Sequence, residues 1–131
     1  MLRSILVLCL SILLAGCSAP NGDKYHTLRV EFRMLAEAAT ELMEDEIKAD
    51  PEWNGKISDL LAKVQNDEYW NKKLSDGTLM TSGGKDVWGN LVKVYRSNDG
   101  NTKVVIVESG GPDGNLDTAN DNVSAQFYLP E

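Results

Sequence analysis

The sequence predicts an α+β domain in which one long amphipathic helix packs against a small antiparallel sheet of three strands. Apolar residues between Tyr25 and Ile47 recur every three or four positions, which is the period of a helix with one buried face. Two β-branched segments then flank a strong turn sequence, and a third strand-like segment follows near the C-terminus. This order of helix first and strands last is an α+β layout, in which the apolar stripe of the helix covers one face of the sheet.

The N-terminus has the pattern of a bacterial lipoprotein signal. Arg3 supplies a positive start, and the apolar run over residues 5–14 is shorter than the roughly 20 residues that a membrane-spanning helix needs. The run ends in Leu-Ala-Gly-Cys, which resembles a lipobox and implies cleavage before Cys17 and lipidation of its thiol. We therefore predict a signal peptide at residues 1–16 and a lipidated cysteine with a polar tether at residues 17–26. The alternative is an ordinary secretory signal that contains a cysteine by chance.

Cysteine content and charge restrict the compartment and the partners. Cys9 leaves with the predicted signal and Cys17 carries the lipid, so the mature chain has no pair of thiols for a disulfide. The predicted location is the bacterial cell envelope, with the domain outside the cytoplasm, in the periplasm or at the surface. Without Arg3 the formal net charge of −7 becomes −8, which argues against nucleic acid as a partner and is compatible with cations. The predicted partners are the membrane, through Cys17, and other envelope or secretion-system proteins.

The first element of the domain is a long helix. Its apolar stripe consists of Leu28, Phe32, Leu35, Ala39, Leu42 and Ile47. Asp23 or Thr27 can cap its start, because both side chains accept hydrogen bonds from the free N–H groups of a first turn. Pro51 ends the helix, because the residue before a proline is disfavoured in helical conformation. The acidic residues of this segment lie mostly away from the stripe, which indicates a solvated face.

Between the long helix and the strands, the sequence predicts short elements. A second apolar stripe predicts a short helix at residues 58–65. In the segment that follows, we expect Tyr69, Trp70 and Leu74 to pack beneath the first helix. Residues 77–84 are predicted to form a loop, because glycine and polar residues dominate them.

β-branched residues dominate the predicted strands. These strands are residues 91–96, 103–108 and 124–129. The sequence Asn-Asp-Gly-Asn between the first two is a strong turn signal, so the first two strands form a hairpin. Alternation places Val92, Val94 and Arg96 on one side of the first strand.

Four motifs occur in a fixed order in the second half of the chain. They are Asp86-Val87-Trp88-Gly89-Asn90 before the first strand, Tyr95 within it, Ser109-Gly110-Gly111-Pro112-Asp113-Gly114 after the second and Asp121-Asn122-Val123 before the third. This motif set resembles the C-terminal domain of protein G, the major pseudopilin of type II secretion systems. That family has a D-P-W-G-N-P element, a tyrosine in the next strand, an S-x-G-x-D-G turn and a later D-D-I. The resemblance covers residues 27–129 and implies a pseudopilin-like domain over residues 27–131.

In that family the loop after the second strand binds calcium, so the resemblance implies a calcium site in this chain. The matching positions are the side chains of Asp113, Asp121 and Asn122 and the backbone carbonyls of Gly110 and Asn115. Calcium takes six to eight hard oxygen ligands, and the glycines of the loop permit sharp turns that direct carbonyl groups inward. The family's second aspartate is Asn122 here and the loop is slightly longer, so Asp117 is a candidate for the missing charge. The alternative is a surface loop that holds no ion.

The N-terminal segment departs from the pseudopilin pattern. A pseudopilin begins with a prepilin-peptidase site and an apolar helix, whereas this chain begins with the lipobox signal and is polar after Cys17. We therefore predict a lipid-anchored envelope protein with a structural or interaction role, related to type II secretion or pilus-like assemblies. An enzyme is not expected, because the single histidine, His26, has no visible catalytic partner. One alternative is a peptide- or glycan-binding module that uses exposed Trp53 and Trp70. Another is a true pseudopilin, if the lipobox interpretation is wrong.

Overall fold

The computed structural model describes residues 20–116 and 122–130, with side chains from Tyr25 onward. The described helices are α1 (Pro20–Leu42), α2 (Glu44–Ala49), α3 (Ile57–Gln65), α4 (Glu68–Leu74) and α5 (Thr78–Thr81). The described strands are β1 (Asn54–Gly55), β2 (Lys93–Asp99), β3 (Thr102–Ser109) and β4 (Val123–Tyr128), and a 3₁₀ turn occupies Gly111–Asp113. The predicted signal peptide and Cys17 lie outside the described residues.

The strands form one antiparallel sheet in the order β1-β2-β3-β4. β2 and β3 are the predicted hairpin, connected by Gly100 and Asn101. Gly100 has a φ of +64°, which suits a glycine in a two-residue turn. β4 pairs with β3 along its whole length, beginning with Val123 opposite Ser109. The predicted α+β class and the antiparallel sheet are therefore confirmed.

The predicted count of three strands is wrong, because the described part of the sheet has four. β1 contains only Asn54 and Gly55, two residue types that are depleted in strands. Tertiary contacts hold it at the sheet edge: Gly55 lies opposite Val94, and the backbone N–H of Arg96 donates to the carbonyl of Trp53 at 2.9 Å. A two-residue strand is too short to produce an alternating pattern, so the sequence gives no signal for it.

The predicted single helix from Tyr25 to Ile47 is interrupted at Met43, whose φ of −127° and ψ of 24° lie outside the helical region. Ile47 therefore belongs to the separate helix α2. At the other end α1 begins at Pro20, inside the segment that was predicted to be a tether. Proline is tolerated in a first helical turn because its missing N–H has no intrahelical partner there. These differences move the element boundaries and keep the order of helices and strands.

The predicted loop at residues 77–84 contains the short helix α5. Glu31 of α1 is buried, and its Oε2 accepts a hydrogen bond from the backbone N–H of Leu79 at 2.9 Å. Burial raises the pKa of Glu31, and the hydrogen bonds from the backbone of Leu79 and Thr78 act in the opposite direction. The local sequence does not reveal this helix, because the partner that supports it lies 48 positions away.

The core lies between α1 and the sheet, and α3 and α4 also contact α1. From the predicted stripe, Leu28, Phe32, Leu35, Ala39 and Ile47 are buried. Val92, Val94 and Arg96, which were predicted to share one side of the first strand, are buried as well. Trp70 and Leu74 are buried as predicted, whereas Tyr69 is 55% exposed. Tyr69 and Trp70 are adjacent on α4, so their side chains diverge by about 100° and only one can face the core.

Within residues 20–116 and 122–130, no helix is both long enough and apolar enough to cross a bilayer.

Candidate functional site

The first part of the candidate site is a tight turn at residues 84–92, which contains the D-V-W-G-N motif. The backbone N–H of Asp86 donates to the carbonyl of Asn90 at 2.9 Å and closes the turn. Gly89 has a φ of +83°, a conformation that residues with a side chain rarely adopt. The glycine of the motif is therefore explained by the backbone of the turn.

The buried carboxylate of Asp86 connects this turn to the loop after β3. Its Oδ1 accepts hydrogen bonds from the backbone N–H groups of Trp88 and Asn90, both at 2.9 Å. Its Oδ2 accepts a hydrogen bond from the hydroxyl of Ser109, at the end of β3. Only 4% of Asp86 and 1% of Ser109 is exposed, so the carboxylate itself is shielded from water. One carboxylate thus joins two motifs that lie 23 positions apart in the chain.

Further hydrogen bonds and two glycines shape the loop itself. The backbone N–H of Gly111 donates to Ser109 Oγ at 3.0 Å, and Asn90 Nδ2 donates to the carbonyl of Gly111 at 2.7 Å. Gly114 has a φ of +68°, and a Cβ at this position would approach Asn90 Oδ1 to 2.8 Å. A Cβ on Gly110 would lie 2.6 Å from the carbonyl carbon of Gly114. The glycines are needed because the backbone folds closely on itself and on Asn90.

The structure describes four of the six residues predicted to bind calcium, whereas Asp117 and Asp121 lie outside the described residues. Gly110 is buried, and Asp113 and Asn115 are exposed. The Oδ1 of Asp113 accepts a hydrogen bond from the backbone N–H of Asn115 at 2.9 Å. This bond fixes the Asp113 side chain against its own turn.

Asn122, directly before β4, lies on the other side of the loop. Its Nδ2 donates to the carbonyl of Leu116 at 2.8 Å. Its Oδ1 is buried and accepts no hydrogen bond from the described residues. Exchanging the amide oxygen and nitrogen would place two oxygen atoms against each other at Leu116, so the observed orientation is the favourable one. A buried acceptor without a donor is unfavourable, and a cation is one partner that would satisfy it.

Residues 20–116 and 122–130 contain no group of three or more His, Cys, Asp or Glu that could hold a metal ion. The predicted calcium ligands differ from such a cluster, because they include an amide and two backbone carbonyls, and because Asp117 and Asp121 are not described. Calcium binding by this loop therefore stays a prediction.

The tryptophans belong mainly to the core. Trp53 is 6% exposed and Trp70 is 2% exposed, while Trp88 is half-buried. The indole N–H of Trp53 donates to Glu46 Oε2 at 3.2 Å. The pair of exposed tryptophans required by the peptide- or glycan-binding alternative is therefore not present. His26 is exposed on α1.

Tyr95, the tyrosine of the motif set, lies on the solvent-facing side of β2. Its hydroxyl donates to Glu108 Oε1 on β3 at 2.8 Å. Burial, together with the hydrogen bond and the negative charge of Glu108, raises the pKa of Tyr95 to about 12. This pair was not predicted from the sequence. The hairpin register could have identified it, because Glu108 is diagonal to Tyr95 across the two strands.

Comparisons with known proteins identify no relative of this chain. No protein-family model, no curated protein and no solved structure matches this chain. The resemblance to protein G stays a prediction.

Proposed function

We propose that this chain is a lipid-anchored envelope protein with a structural or interaction role, attached to the membrane through Cys17. Its domain is pseudopilin-like, with a role related to type II secretion or pilus-like assemblies. The loop between β3 and β4 binds calcium, which fastens this end of the sheet. This proposal is supported by Asp86, whose hydrogen bonds join the turn at residues 84–92 to Ser109 at the start of the loop.

The observation that carries the calcium proposal is the buried Oδ1 of Asn122, which accepts no hydrogen bond from the described residues. The residues that would hold the ion are Asp113, Asp117, Asp121 and Asn122 through their side chains and Gly110 and Asn115 through their carbonyls. All of these ligands are hard oxygen atoms of the kind that calcium prefers. When bound, calcium would neutralise the repulsion among the carboxylates and tie the two sides of the loop together. In a chain without a disulfide, this would stabilise the sheet.

Thermal unfolding of the unlipidated chain from Ser18 to Glu131 tests the calcium site. At a calcium concentration 100 times its Kd, binding adds about 2.7 kcal/mol to the free energy of unfolding. For a domain of this size, that raises Tm by roughly 10 °C. Asp113→Ala and Asp121→Ala should abolish the rise, whereas Asp99→Ala at the hairpin should retain it. The same Tm in calcium and in EDTA would show that the loop binds no calcium.

Mass spectrometry of the membrane-extracted protein tests the lipid anchor separately. The expected mature chain begins at Cys17 and carries acyl chains, and a Cys17→Ser variant should keep its signal unprocessed by this route. An acylated Cys17 excludes the alternative of a true pseudopilin. An unmodified thiol, or cleavage elsewhere, would refute the anchor and leave the calcium result standing.

A further inference from the structure

The turn at residues 84–92 exposes a small surface of mixed chemistry, which we call the turn patch and define as Lys85, Val87, Leu91 and Lys93. Val87 is 43% exposed and Leu91 is 64% exposed, which makes them two of the large apolar side chains most open to solvent among the described residues. Lys85 and Lys93 are also exposed, and neither forms an ion pair with a described residue. The patch therefore combines two aliphatic side chains with two positive charges, of which Lys93 lies across from Glu108 on β3.

The backbone places Lys85, Leu91 and Lys93 on the same side of the turn. Lys85 and Leu91 are paired across it in an antiparallel bridge. Successive side chains of an extended segment face opposite ways, so Leu91 and Lys93 lie opposite the buried Val92, and the exposed Val87 follows the buried Asp86 in the chain. The buried residues hold the turn against the core, and the patch faces away from it. Its apolar side chains cannot be buried by the domain itself.

The chain also places the turn patch close to the predicted lipid. The ring of Tyr25, near the start of α1, lies 5.3 Å from the ring of Trp88 in the same turn. α1 begins at Pro20, and five residues of helix span about 7–8 Å. Cys17 precedes Pro20 by three residues, which reach at most about 10 Å. A lipid on Cys17 would thus be held within about 30 Å of the turn, at the end of the domain where α1 begins.

We infer that the turn patch docks on the membrane surface, with Val87 and Leu91 in the headgroup region and both lysines at anionic headgroups. This inference rests on the proposed lipidation of Cys17. Stable protein–protein interfaces use roughly 20–30 residues on each side, and four residues are too few for one. A membrane contact can be this small, because the lipid already holds the domain at the surface and docking is an intramolecular step. Aliphatic side chains flanked by lysines match an anionic bilayer surface.

Fluorescence of a label at position 91 tests the docking in the full, acylated protein. The mature chain has no free thiol once Cys17 is acylated, so Leu91→Cys introduces the only reactive site. The matched control is Asn101→Cys, at the hairpin on the opposite end of the sheet. Each variant carries an environment-sensitive dye and is reconstituted in vesicles of phosphatidylcholine with phosphatidylglycerol. Circular dichroism and Tm establish that both labelled proteins are folded.

The dye at position 91 should be blue-shifted and quenched several-fold more strongly by spin-labelled lipid than the dye at position 101. Lys85→Glu combined with Lys93→Glu should remove most of this difference, and raised salt should reduce it. Equal, water-like signals at both positions in a protein whose Cys17 is acylated would overturn the inference and leave the proposed function intact. A blue shift that needs added envelope protein would assign the patch to a protein partner and also overturn it. A Cys17 without lipid would refute both the docking of the turn patch and the proposed lipid anchor.

Discussion

Replacing Asp86 with alanine removes the acceptor of three hydrogen bonds at once. The backbone N–H groups of Trp88 and Asn90 lose one carboxylate oxygen, and the hydroxyl of Ser109 loses the other. A buried donor left without a partner costs about 1–3 kcal/mol. Because water can reach part of the half-buried turn, we expect a total loss of about 3–6 kcal/mol. That is a large fraction of the roughly 5–15 kcal/mol by which a domain is stable.

Asp86→Asn separates the geometry of this contact from its charge. The amide oxygen can still accept hydrogen bonds from Trp88 and Asn90, while the new NH₂ group faces Ser109. The serine hydroxyl oxygen must then accept hydrogen bonds from this amide and from the backbone N–H of Gly111, and the hydroxyl proton loses its acceptor. We expect a loss of about 1–2 kcal/mol, since hydrogen bonds to a charged acceptor are the stronger ones. Alanine should therefore cost clearly more than asparagine.

Urea unfolding followed by tryptophan fluorescence measures both losses, provided that the slope m stays constant. A double-mutant cycle of Asp86→Asn with Ser109→Ala should give a coupling energy of about 0.5–3 kcal/mol. The exposed Asp76 supplies the control, and its alanine variant should change the stability by less than about 0.5 kcal/mol. A loss below about 1 kcal/mol for Asp86→Ala, or a fully additive cycle, would refute the idea that this carboxylate joins the turn to the loop.

Three other predictions use separate parts of the fold. Because burial raises the pKa of Glu31, the native state holds its proton more tightly than the unfolded state, so stability should fall as the pH rises above the ordinary value of 4.5. Glu31→Gln should lack this dependence in denaturation curves measured from about pH 4 to pH 8. Gly114→Ala should cost at least about 1–2 kcal/mol for its positive φ, and Asn90→Ala in the same chain should recover only the part due to the clash. Absorbance titration should give a midpoint near 12 for Tyr95, falling towards 10.0 in Glu108→Gln, and an unchanged midpoint would refute the pairing.

Local patterns were sufficient for the hairpin. Gly100 and Asn101 have turn chemistry, and the flanking strands have β-branched residues with a buried and an exposed face, so the strands and the inner side of β2 could be predicted. The glycines of the loop after β3 were also predicted to permit sharp turns, and Gly114 has the positive φ that such a turn requires. These features depend only on neighbouring residues, which is why the sequence reveals them.

Features that depend on distant residues were missed. β1 forms because the backbone around Trp53 and Gly55 pairs with the edge of β2. The identities of two residues do not predict such a tertiary pairing. The interruption at Met43 was also missed, because an apolar stripe continues across a change in one residue's φ and ψ. In the candidate site, the order of the motifs can be read from the sequence, but their connection through Asp86 was not predicted. An aspartate that accepts hydrogen bonds from the backbone N–H groups two and four residues later is a recognisable turn signal. The hydrogen bond between Asp86 and Ser109, by contrast, is a tertiary contact.

Buried charge in this protein has a consistent structural explanation. Among the described residues, the charged side chains with little exposure are Glu31, Asp86 and Arg96. Glu31 accepts a hydrogen bond from the backbone of α5, and Asp86 accepts hydrogen bonds from the backbone of the turn at residues 84–92. Arg96 donates hydrogen bonds from Nη1 to the carbonyls of Ile47 and Lys48 at the end of α2, at 3.0 and 3.3 Å. Each partner belongs to a helix end or a turn, whose backbone groups have no partner within a regular ladder. Burying an ionised group is costly, but leaving several such backbone groups unpaired would be costly as well. Each of the three charges is thus explained by the backbone groups that it satisfies, and the buried Nε of Arg96 has no partner among the described residues.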